Sequence, residues 1–247
     1  MPAPLVPGMS DFPLASKARI AAVAGWATLA GILALEVVGP SLVAGERVSG
    51  TFDAATIRAY YGHAGLLPLE VLQYAVLPVA LLFAYALRES LARDGKSRFL
   101  ATAGLLFLAA EVPILLLHTG LSIVVTDLAA RGGDVVPMFR LWDVTYNGGL
   151  YLFETGWVIA FSLAMRGAIG FPRWAPGFGV VTGAVQAFNA FALWLGVPDT
   201  ATLPGNLLLI GWFGMTAVAL GRMARAAGAS PAAAAGARLV RVPAGKS

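Results

Sequence analysis

The sequence predicts an all-α polytopic membrane protein, a bundle of six transmembrane helices. Three observations carry this expectation. Charged residues make up only 12% of the 247, and hydrophobic residues 58%. An average soluble domain has about 25% charged residues, so these charges are too few to cover a water-exposed surface. Six apolar stretches recur, each near the roughly 20 residues that cross about 30 Å of hydrocarbon. Lysine and arginine alternate between the segments that join them, thirteen on one side and four on the other.

Taken in order, residues 1–16 are Pro-rich and predict a short disordered arm. They lack the basic leader of a signal peptide, and the apolar stretch that follows exceeds the roughly 7–15 residues of a signal core. That stretch, Ile20 to Ala44, is the first span. Leu66–Leu87, Phe99–Val125, Trp142–Met165, Gly177–Val197 and Leu203–Ala224 are the others. All are apolar nearly all round, unlike the one-sided stripe of a soluble helix. Pro40, Pro78 and Pro113 fall in or at the ends of spans, where neighbouring helices can satisfy freed backbone groups. Between the first two spans, Thr51–Tyr61 carries Phe52, Ile57, Tyr60 and Tyr61, which predicts a short interfacial helix. Residues 226–247 are rich in Ala, Gly, Pro and Arg and predict a disordered basic tail. The transmembrane domain is thus residues 17–225.

The basic residues also set the orientation. With the N-terminus inside, Lys17, Arg19, Arg88, Arg93, Lys96, Arg98, Arg166, Arg173 and those from Arg222 onward are cytoplasmic. Arg47, Arg58, Arg131 and Arg140 are external. Both termini then lie in the cytoplasm.

A weak internal repeat runs through the spans. The odd ones begin Arg19-x5-Gly25, Arg98-x5-Gly104 and Arg173-x5-Gly179, and Glu111 and Gln186 each follow their glycine by seven residues. The second and fourth share Gly65-Leu66-x3-Glu70 and Gly149-Leu150-x3-Glu154. Three duplicated helical hairpins would produce this pattern, as would chance in a chain so rich in Gly and Leu. Gly179-x3-Gly183 reads as close helix packing.

The run Lys17-Ala-Arg-Ile-Ala leading into the first span, the polar fourth span and Phe171-Pro-Arg before Gly177 resemble a family of bacterial six-helix integral membrane proteins, a domain of unknown function. The resemblance covers residues 17–225. It implies the six-helix fold and a bacterial cytoplasmic membrane; it implies no activity and transfers no site residues.

Several chemistries are excluded by residue type. With no cysteine, there is no disulfide, thiolate metal site, Fe–S cluster or cysteine nucleophile. Every lysine lies outside the spans, so no retinal Schiff base is expected. The basic residues flank apolar segments and form no patch with interleaved aromatics, so no nucleic-acid partner is expected.

Ionisable groups inside a bilayer cost roughly 2.5–3.5 kcal/mol each on insertion scales, and they face a bundle interior or a wet cavity. By helix direction, the polar groups of all six spans fall between the midplane and the external face. This predicts a shared pocket open to the outside. Glu111, His118 and Glu154 are the candidate catalytic residues, and also the candidate ligands should a metal ion bind. Glu36, Glu70, Tyr146, Asn147, Gln186, Asn189 and Asn206 are the candidate ligand-binding residues. Such a site could bind a lipid-soluble small molecule or a cation. A proton- or cation-coupled transporter is the alternative, and an accessory subunit of a membrane complex, or a homo-oligomer, is another. The last predicts that Glu111 and Glu154 merely pair with polar side chains on neighbouring helices.

Overall fold

The computed structural model describes residues 12–35, 53–63, 66–192 and 203–239, with backbone only at 147, 203 and 230–239. Those residues are helical throughout apart from turns, with no strand among them. The helices are α1 (Leu14–Leu33), α2 (Ala54–Tyr61), α3 (Leu66–Leu91), α4 (Gly95–Ala130), α5 (Val136–Val144), α6 (Tyr151–Ala164), α7 (Ala175–Ala192) and α8 (Leu203–Leu239); a π-helical segment, Thr145–Leu150, joins α5 to α6. Leu66–Leu91, Gly95–Ala130 and Pro204–Ala229 are long and apolar enough to cross a membrane.

Six helices pack in chain order. α1 lies on α3, α3 on α4, α4 on α6, α6 on α7 and α7 on α8, and α8 returns against α1. The repeat glycines sit at these contacts. A Cβ on Gly25 would meet the Phe83 ring at 3.0 Å, one on Gly104 the Phe161 ring at 2.9 Å, and one on Gly179 the Trp212 Nε1 at 3.0 Å. Gly25 and Gly104 thus each seat an aromatic ring of the following span, while Gly179 lies closest to Ser162 of α6, with Trp212 of α8 behind it.

Two apolar cores result. The larger joins α1, α3, α4, α6 and α8 around Phe83, Trp157, Phe161, Trp212 and Phe213. The smaller packs Ile57, Tyr60 and Tyr61 of α2 on Leu121 and Val125 of α4 and on Phe139 and Trp142 of α5. The short helix foreseen at 51–61 exists, and it buries its aromatic face on the bundle. Asp53 caps it through the Thr56 amide at 2.8 Å, and hydrogen bonds from Thr56, the hydroxyl foremost, hold the Asp53 carboxyl below its ordinary range. Arg58 fastens α2 to the α4–α5 turn by donating to the Gly133 carbonyl at 2.9 Å.

Some boundaries differ from expectation. α1 starts at Leu14, inside the expected arm, because Ser16, Lys17 and Arg19 are polar yet compatible with a helix that begins after Pro13. α8 runs on to Leu239, so the expected disordered tail is helical over 226–239. The run of alanines there has the highest helix propensity of any residue. The expected spans Ile20–Ala44 and Gly177–Val197 end partly outside the described residues.

The α3–α4 turn is held at both ends. Asp94 and Ser97 form a reciprocal capping box, and the Ser97 amide, the largest influence, keeps the Asp94 carboxyl below its ordinary range. Arg93 donates to the carbonyls of Gly167 (2.6 Å), Arg166 (2.9 Å) and Ala164 (3.2 Å), oxygens exposed where α6 stops. Arg93→Ala should lower stability by about 1–2 kcal/mol, since bonds from a charged donor contribute more than neutral ones but these are largely exposed. Arg93→Lys should recover only part, a point charge lacking the guanidinium fork. The denaturation midpoint in detergent measures both.

Candidate ligand-binding cavity

A cavity of about 170 Å³ lies between the two cores, bordered by α1, α3, α4, the π segment, α6 and α8. A space of about 150 Å³ accepts benzene, so this one holds at least a ring-sized group. Leu108, Trp157, Leu209 and Phe213 belong both to the cavity wall and to the larger core. Val76, Leu77 and Ala80 of α3 and Ile32 of α1 complete an apolar wall. Into this space come Gln73, Glu111, His118, Thr119, Tyr146, Glu154 and Asn206.

The two carboxylates are tied from behind. Glu111 is 2% exposed, and its Oε2 accepts the Trp157 indole N–H at 2.5 Å. Glu154 Oε2 accepts from Gln186 Nε2 at 2.8 Å, and Gln186 Oε1 accepts from Asn189 Nδ2 at 2.9 Å. Glu111 and Glu154 both border the cavity, so two carboxyl groups share one low-dielectric space.

An aromatic stack forms the other polar wall. The π segment widens the helix at Tyr146, next to Gly148 and Gly149. Tyr146 stacks on Trp142 with centroids 5.5 Å apart and planes 5° from parallel. His118 stacks on Tyr146 at 5.0 Å and lies tilted against Trp142 at 5.1 Å. Trp142 in turn stacks on Phe139 in the smaller core. The imidazole is thus fixed between the aromatic cap and the cavity.

A polar path leaves the cavity along α3. Gln73 Nε2 donates to Glu70 Oε2 at 3.1 Å. Gln73 Oε1 lies 2.9 Å from Thr119 Oγ1, whose one proton can go there or to the Leu115 carbonyl at 2.8 Å.

Of the sequence-derived candidates, Glu111, His118, Tyr146, Glu154 and Asn206 therefore line one cavity. Gln186 and Asn189 stand behind Glu154, and Glu70 is reached through Gln73. Asn147 lies in the π segment with only its backbone described, and Glu36 falls outside the described residues. Among the described residues, no group of three or more His, Asp and Glu side chains is arranged to hold a metal ion. The candidate metal set of Glu111, His118 and Glu154 is therefore not assembled. His118 is held by stacking on Tyr146, Glu111 by Trp157 and Glu154 by Gln186.

Thr28, Gln73, Thr119, Tyr151 and Trp157 also line the cavity and were not among the sequence-derived candidates. Threonine hides its polarity in a helix by bonding back one turn, as Thr28 does to the Ala24 carbonyl at 2.9 Å. Trp157 reads as apolar by composition, and its single N–H matters only beside Glu111. Compared with protein families, curated proteins and solved structures, the chain matches none.

Proposed function

We propose that this chain is a six-span membrane protein that holds a lipid-soluble small molecule, or an organic cation, in a pocket within the outer half of the bilayer. The six packed helices supply the spans. α4 crosses alone, and α5, the π segment and α6 form one continuous helical run. The distribution of basic residues supports both termini lying on the cytoplasmic side, and the family resemblance supports a bacterial inner membrane. One observation carries the pocket: Glu111 and Glu154 face a single ring-sized cavity walled by aliphatic and aromatic side chains. Two carboxylates there favour a ligand with a cationic or proton-donating head, because buried charges are stabilised by pairing. The Tyr146 ring, which borders the cavity and is backed by Trp142, favours a flat or cationic group against it.

Beneath the cavity, Trp157, Trp212 and Phe213 pack edge-to-face and tilted, with centroids 5.3–5.7 Å apart. Closing the cavity on this side with packed aromatic rings, Trp157 and Phe213 among them, supports binding or catalysis over transport. The Gln186–Glu154 bond favours a second reading, in which the acids serve only to join helices in a subunit of a larger complex.

Native mass spectrometry of protein taken from its own membrane, with metal analysis alongside, separates the two. Glutamine keeps an acceptor oxygen for Trp157 and for Gln186, so Glu111→Gln and Glu154→Gln should fold. Each should lower retention of the bound molecule about tenfold or more, the worth of one charge-assisted hydrogen bond. A wild-type protein with an empty cavity, and variants of unchanged stability, would leave only the structural role.

A further inference from the structure

A second recess opens where α1 begins, α3 ends and α4 begins. It measures about 340 Å³ and is lined by Lys17, Arg88, Glu89, Ala92 and Arg98. Three cations thus surround one carboxylate, for a net charge of +2 (3 − 1). The carboxylate is the organiser. The Glu89 side chain is only 6% exposed; it pairs with the Lys17 ammonium at 3.5 Å and makes a short ion pair with Arg88. Arg88 also donates from Nε to the Thr102 hydroxyl at 3.2 Å. Two of the three cations are therefore held in place by buried partners. The third, Arg98, is exposed, and its guanidinium has no partner among the described residues.

We propose that this recess binds a phosphate group, presented by the headgroup of an anionic phospholipid. A guanidinium offers paired N–H donors whose spacing fits phosphate oxygens. Glu89 neutralises one positive charge and leaves two for the ligand, close to the charge of a phosphate ester. The neighbouring residues indicate the source. Phe99, next to Arg98, is 73% exposed, and Leu14, one turn before Lys17, is exposed as well. Apolar side chains beside a basic recess match a ligand with a charged head and acyl chains, and basic pockets between membrane helices on the cytoplasmic side bind acidic headgroups. This site is separate from the cavity, and the phosphate chemistry does not depend on what that cavity holds.

The test uses the full-length chain in nanodiscs of phosphatidylcholine, with phosphatidylglycerol or inorganic phosphate as the added probe and native mass spectrometry as the readout. Arg98→Gln is the first variant, because Arg98 supports no other side chain. Lys17→Gln is the second. Arg173→Gln, an exposed arginine outside the recess, is the control for general attraction to anionic lipid. Wild type should retain phosphatidylglycerol over phosphatidylcholine. Arg98→Gln and Lys17→Gln should each lose about fivefold, the effect of one basic residue at a membrane surface, with Arg173→Gln unchanged. Binding of inorganic phosphate with no preference between the lipids would overturn the lipid source and keep the phosphate site. An equal loss in Arg173→Gln would overturn the recess, and so would equal retention of both lipids with no phosphate bound.

Discussion

Replacing Gly179 with leucine will keep α6, α7 and α8 from closing on one another. A single Cβ at this position already overlaps the Ser162 side chain and comes within 3.0 Å of Trp212 Nε1. Those two groups are hydrogen-bonded at 2.8 Å, and both are fully buried. Leucine must therefore break that bond or push α7 away. Overpacking of this kind costs roughly 3 kcal/mol or more, the upper end for inserted core atoms. The displacement also passes along α7, because Gln186 lies two turns further on, where it holds Glu154. Thermal unfolding in detergent should show a large fall in midpoint. Gly177→Ala is the control: a Cβ there meets nothing within 4 Å, so its midpoint should stay within experimental error. Equal behaviour of the two variants would refute the packing role.

The second large effect is expected from Gln186→Leu. Gln186 is fully buried and is the middle of a chain in which Asn189 donates to it and it donates to Glu154. Leucine fits the volume but removes the donor from a carboxylate and the acceptor from an amide in the same step. Leaving such groups less well satisfied costs roughly 1–3 kcal/mol each. The chain also sets how closely α8 approaches, since a Cβ on Gly205 would collide with Asn189 and Gln186. Stability should therefore fall by about 2–6 kcal/mol. Ligand retention should fall with it, because Glu154 then loses the bond from Gln186 that orients it in the cavity. Gln186→Glu, which sets a third acid beside Glu154, should be worse than leucine. A Gln186→Leu protein with wild-type stability and wild-type ligand retention would show that the chain neither supports nor aims Glu154.

Much of this site was legible before any coordinates. Glu111 and Glu154 stand out because a carboxylate in an apolar run carries an insertion penalty that only an interior partner offsets. The Gly179-x3-Gly183 spacing already indicated close packing, and Ile159 and Ser162 of α6 fill the grooves those glycines leave. The π segment was not foreseen. Its trace in the sequence is Asn147-Gly148-Gly149, three poor helix formers inside a span. Hydropathy alone reports such a residue run as a slightly weaker helix, not as a change of winding. Glu70 and Asp143 lie near the starts of their spans, and both are buried, at the end of the bundle where Tyr60 and Tyr61 of α2 pack with Leu66 and Trp142. The partners of the carboxylates were illegible for a different reason. Trp157 lies 46 residues from Glu111 and Gln186 lies 32 from Glu154, so each pair meets only through the order in which helices pack.

The length of α4 has a consequence for the lipid around it. Its 36 residues make a rod of about 54 Å, while the hydrocarbon of a bilayer is about 30 Å thick. Tilting by about 40°, the steep end of what membrane helices adopt, still leaves a rise of about 41 Å. In terms of hydrophobic mismatch, a helix of this length that crosses a bilayer stands clear of the acyl region by at least two of its own turns. α2 and α5 pack against one end of α4, where Tyr60, Tyr61, Phe139 and Trp142 bury Leu121 and Val125. The overhanging turns at that end are therefore sheathed by the chain's own aromatic side chains.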